Sequence, residues 1–175
     1  MTPRPVESGI RVLLVLTCDV VPVTKQQLVP GIAGILAAVV VFVDALNARA
    51  DNARRMRTVS GIAAVCMTAA WIAGGYWYLH FYPMDRALIL GGPWPFAHTV
   101  FMETKEHLFF TTLTLSWYLP MAAAENLSTN ASARKMVLCV AMLIALSGLA
   151  IEGSGAIINH GAKVALLDAR TRTGR

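Results

Sequence analysis

Residues 58–82, TVSGIAAVCMTAAWIAGGYWYLHFY, contain no lysine, arginine, aspartate or glutamate. A helix crosses about 30 Å of hydrocarbon with roughly 20 apolar residues, so this stretch reads as a membrane span with length to spare for tilt. Trp71, Tyr76, Trp77, Tyr78 and Tyr82 crowd its second half, as amphipathic rings do where lipid meets water. The basic connection 47–57, with Arg49, Arg54, Arg55 and Arg57, ends the apolar run on the other side.

The same reading extends outward. Residues 28–46 are apolar except for Asp44 near the end, and Pro30 suits a first helical turn, where its missing N–H costs nothing. Beyond the span at 58–82, Gly91-Gly92-Pro93-Trp94-Pro95 breaks helix and predicts a membrane-hugging turn within 83–96. A third span is expected over 98–124 and a fourth over 136–159, followed by a basic tail at 163–175 with Lys163, Arg170, Arg172 and Arg175.

At the other end, Ile10–Val23 is short and broken by Arg11, Asp19 and Pro22, so residues 1–27 read as an interfacial segment, with a cleaved signal peptide as the rival. The fold class is therefore an all-α membrane protein, a four-transmembrane-helix bundle over 28–162 with a short interfacial N-terminal segment.

Composition agrees. The chain of 175 residues is 56% hydrophobic and 14% charged, with mean hydropathy +0.57, where a soluble domain is about a quarter charged. The net charge of +5 sits at the ends of apolar runs, which marks headgroup and topology charges and not a nucleic-acid surface. Arginines and lysines in the loops after spans one and three place those loops inside, hence the 83–96 loop and both termini outside; the basic tail with Arg4, Arg11 and Lys25 argues the opposite way. Short basic loops suggest a bacterial inner membrane. Cys18, Cys66 and Cys139 are isolated, without a CxxC or CxxCH pattern, and read as small core residues.

The ionisable residues within spans carry the functional argument, because each needs a partner, a wet cavity or an interface. In span three Glu103, His107, Thr111, Thr114 and Tyr118 follow at helical spacing and form one polar stripe. In span four Gly148, Glu152, Gly155 and Asn159 form a second, whose small residues allow a neighbouring helix to approach closely. If both face inward, Glu103, His107, Glu152 and Asn159 line one interior.

Alternating spans also bring His80, His98, His107 and His160 to one membrane face with Glu103, Glu106 and Glu152. Histidines on several helices at one depth suit haem b or a transition metal, with a carboxylate holding the second ring nitrogen. His107 is the strongest ligand candidate, since it lies a turn deeper and on the stripe; His80 and His98, at span edges, suit the interface better. The chain has no HExxH zinc pattern and no paired ExxH motif.

Three functions follow as expectations. One is a redox-linked subunit binding haem b or a metal through these histidines. Another is an accessory or structural subunit that packs against a membrane-protein partner or in a homodimer. The third is a small ion- or proton-linked transport protein using the carboxylates. An enzyme acting on soluble substrates is not expected, because G-x-S-x-G, P-loop and dinucleotide patterns are missing.

Overall fold

A computed structural model describes residues 29–173. The expected interfacial or signal segment at 1–27, with Cys18, lies outside the described residues. The described residues are mostly helix: α1 (Val29–Leu46), α2 (Ala50–His80), α3 (Tyr82–Gly91), a π-helical segment (Ala97–Met102), α4 (Glu103–Ala122) and α5 (Ala131–Thr173).

Among the described residues α1, α2 and α5 are long and apolar enough to cross a membrane. The third span, expected over 98–124, does not join them. α4 has the length, since it continues the π segment without a break, but Lys105, Glu106, His107 and its threonines hold its hydropathy down.

Several expected boundaries also move. The basic connection 47–57 is mostly the first turns of α2, because arginine is a good helix former and the charges lengthen the helix instead of ending it. The turn expected at 83–96 contains α3, begun by Pro83 in its first turn and closed at Gly92, whose backbone is extended. The tail from 163 continues α5, whose 43 residues make it about 65 Å long, roughly twice the hydrocarbon thickness. α3 packs on this far half of α5.

At one end of the bundle the α1–α2 corner meets the α4–α5 corner. Asn52 ties the first together: its side-chain oxygen accepts the Arg49 N–H, and its amide donates to the carbonyls of Asp44 and Asn47. Arg57 donates to the carbonyls of Ala123 and Ala124 in the second. Asp44, which is buried, is held by both guanidinium nitrogens Nε and Nη2 of Arg55. Removing the cation alone strands the carboxylate. Arg55→Ala is therefore expected to destabilise the protein more than Asp44→Asn, as measured by thermal unfolding in detergent; equal losses would contradict the arrangement.

The main core joins Ala38, Val41 and Ala45 of α1, Met56 and Met67 of α2, Leu119 of α4 and Val137, Ala141 and Ile144 of α5. In lipid the gain comes from close packing and from interhelical hydrogen bonds. α4 makes two such bonds, Thr112 Oγ1 to Ser147 Oγ on α5 at 2.7 Å and Trp117 Nε1 to Thr68 Oγ1 on α2 at 3.0 Å. Glycines set how near the helices come. A Cβ on Gly148 would lie 2.5 Å from Ile35 of α1, and one on Gly161 would lie 2.7 Å from the Cβ of Ala97.

Candidate functional site

The end of α2 and the far half of α5 meet α3 and the π segment in a second core of Tyr82, Ile89, Ala97, Met102 and Ile158, edged by Trp77 and Phe101. These elements gather there as the alternation of spans requires. Their histidines do not converge. Among the described residues no three His, Cys, Asp or Glu side chains could hold a metal ion together.

His98 is the buried one of the four. It lies in the first turn of the π segment, where its backbone N–H bonds the Pro95 carbonyl, which also takes the Thr99 N–H. Arg86 donates from Nε to His98 Nε2 at 3.0 Å. A guanidinium cannot accept, so the ring proton sits on Nδ1 and is donated to the Tyr82 oxygen at 2.8 Å.

Tyr82 stacks on Tyr78, and the Glu106 carboxylate lies beside the Tyr78 hydroxyl. Tyr82 is buried and accepts from His98 Nδ1. It therefore acts as a fixed hydrogen-bonding group. Among the described residues the indole N–H of Trp77, whose ring packs on Tyr82, has no hydrogen-bond partner.

Burial also pushes the Asp85 carboxyl up. With the folded value raised, the contribution of Asp85 to stability is complete below its usual pKa of about 3.9 and is lost as pH rises through the folded value. Asp85→Asn is expected to raise stability at neutral pH and to change little near pH ~3. A benefit of equal size at both would contradict this.

The other histidines are exposed. His80 stacks on Tyr76 with Nδ1 donating to the Tyr76 carbonyl at 2.9 Å, and His160 lies against Trp94, ring centroids 5.1 Å apart. His107 donates from Nδ1 to the Glu103 carbonyl at 2.7 Å, so its Nε2 is an acceptor directed away from the backbone.

The stripe expected to line the interior faces outward. Glu103, His107, Thr111, Thr114 and Tyr118 are all exposed. The inner face of α4 carries Lys105, Thr112, Ser116 and Leu119 instead. Both sets repeat at helical spacing, and packing on α2 and α5 selects the second, whose Thr112 bonds Ser147 across to α5 and whose Leu119 joins the main core. The inference that Glu103 and His107 share an interior with Glu152 is thereby corrected.

Lys105 is the inward ionisable residue of α4 that the stripe passed over. It attracts Glu152 electrostatically, and each side chain is seated on a glycine. A Cβ on Gly155 would lie 3.3 Å from Lys105 Nζ, and one on Gly31 2.9 Å from Glu152 Oε1. The spacing of Gly148, Glu152 and Gly155 was the legible signal for this seat. Gly31 lies near the start of α1, so the pair sits close to the membrane face and not at its midplane.

No protein family, curated protein or solved structure matches this chain.

Proposed function

We propose that the chain is a four-span subunit of a bacterial inner-membrane assembly, with the π segment and α4 as its polar fourth crossing and the outer face of α4 as the surface that meets a partner. The observation that carries this reading is the outward placement of Glu103 and His107 on a helix packed between two apolar spans. Ionisable groups facing lipid are costly, roughly 2.5–3.5 kcal/mol each at a helix centre and less towards the interface. A protein neighbour removes that cost.

Thr111 and Thr114, deeper on the same face, give their hydroxyl protons to the carbonyls of His107 and Phe110. They leave a small polar surface on which another helix can pack closely. The test is the mass of the protein–detergent particle after extraction in mild detergent. The expected result is a particle heavier than one chain, reduced to one chain by Thr111→Leu with Thr114→Leu; a wild-type particle holding one chain alone overturns the reading.

Two observations support further readings. Lys105 and Glu152, facing the interior on glycine seats, suit an ion- or proton-linked role. That role predicts proton flux into proteoliposomes that Glu152→Gln abolishes, and unchanged flux would remove it. His107, with Nδ1 anchored and Nε2 open, suits ligation of haem b or a metal. A dithionite-reduced minus oxidised spectrum with sharp bands that vanish in His107→Ala is expected for haem, and a flat spectrum removes the haem form of this reading.

A further inference from the structure

We propose that two copies of this chain meet through the outer face of α4 and share one divalent transition-metal ion, each copy contributing His107 Nε2 and the Glu103 carboxylate. This rests on the reading of that face as a partner surface and names the partner.

The geometry begins with one ring. A carbonyl oxygen only accepts, so the 2.7 Å bond from His107 Nδ1 to the Glu103 carbonyl fixes the ring proton on Nδ1 and leaves the Nε2 lone pair pointing off the helix. This is the arrangement in which imidazole is ready to bind a metal, with its second nitrogen already held.

Glu103 supplies the second donor. It lies four residues earlier, one turn along the same exposed face, and the spacing i, i+4 is the one at which a single helix chelates a metal with two side chains. Zinc takes four ligands in closed tetrahedral sites. One chain offers two here, and among the described residues no third His, Cys, Asp or Glu completes the set.

A twofold axis doubles two ligands to four. Twofold interfaces are the commonest in homo-oligomers and place the same patch on both sides, so a face bearing its own donor pair completes itself. The remainder of the face allows the approach: the hydroxyl protons of Thr111 and Thr114 are spent on their own helix at 3.1 and 2.9 Å, and neither side chain is bulky. A different subunit would have to bring a matching donor pair, whereas a second copy brings it by symmetry.

The experiment strips the full-length protein with a chelator in mild detergent, titrates it with zinc alone, and measures bound zinc together with particle mass. The expected result is one zinc per two chains with the mass of a dimer, and binding at least tenfold weaker in His107→Ala and in Glu103→Gln. Glu125→Gln, an exposed carboxylate at the other end of the bundle, serves as the control and should bind as the wild type does. His107 and Glu103 are exposed, so loss of folding does not confuse the result, and a circular dichroism spectrum checks it.

A dimer that forms equally without zinc and in His107→Ala overturns the shared metal and leaves the partner face standing. One zinc on a single chain, or a lone chain at every zinc concentration, overturns the second copy as well.

Discussion

Gly148→Ala is expected to destabilise the folded bundle by about 1–3 kcal/mol, while Gly153→Ala, on the same helix, leaves stability unchanged or raises it by up to about 1 kcal/mol. The two glycines differ in what they face. A methyl on Gly148 would sit 2.5 Å from Ile35 Cγ1 and 2.8 Å from its Cδ1, and a methyl on Gly153 would meet nothing within 4 Å. Ile35 is buried in the main core and β-branched, so it has little freedom to move aside. α1 would have to shift outward. At Gly153 only the helix propensity changes, which favours alanine. Thermal unfolding of the two purified variants in one detergent checks the contrast, and equal effects would mean that α1 does not press on α5 at Gly148.

His98→Ala is expected to cost about 3 kcal/mol, more than His80→Ala or His107→Ala, which should leave stability close to that of the wild type. Two buried hydrogen bonds are lost, one of them to a charged donor, and such bonds contribute about 1–3 kcal/mol each. A cavity adds to the loss. Arg86 and Tyr82 lose their partner beside the core that joins α3 to α5. His98→Gln should recover part of the loss, since an amide can accept from one neighbour and donate to the other. If His98→Ala and His107→Ala unfold together, the ring of His98 is not the joint between the π segment and α3.

The spans were legible because lipid imposes a length, and 28–46, 58–82 and 136–159 meet it on runs that are mostly apolar. Helix ends were not, because lipid sets no limit beyond its own thickness: Arg49–Arg57 and Lys163–Arg172 lie in polar surroundings where helix can simply continue. Spacing found a polar stripe on α4 but could not give its direction. Glu103–His107–Thr111–Thr114–Tyr118 and Lys105–Thr112–Ser116–Leu119 have the same period, and only the positions of Ser147 and Gly155 on α5 decide which one is buried. His98 was hidden for another reason. It lies in the π turn, which shifts the register of every residue before Glu103 and leaves no mark in a 3.6-residue pattern. The gathering of the histidine-bearing elements at one end of the bundle was legible from the alternation of spans, yet the rings of His80 and His107 are directed by the i−4 carbonyls of Tyr76 and Glu103, which no spacing rule weighs.

Disulfide cross-linking in native membranes shows directly whether the outer face of α4 meets a second copy, with Cys18, Cys66 and Cys139 replaced by serine and a single cysteine placed at Thr114 on that face. The expected result is a covalent product of twice the chain mass from Thr114→Cys and none from Ile62→Cys, since Ile62 sits exposed on the apolar outer side of α2. A Thr114→Cys chain that stays single under the same oxidation, or an Ile62→Cys chain that cross-links as fast, would contradict it.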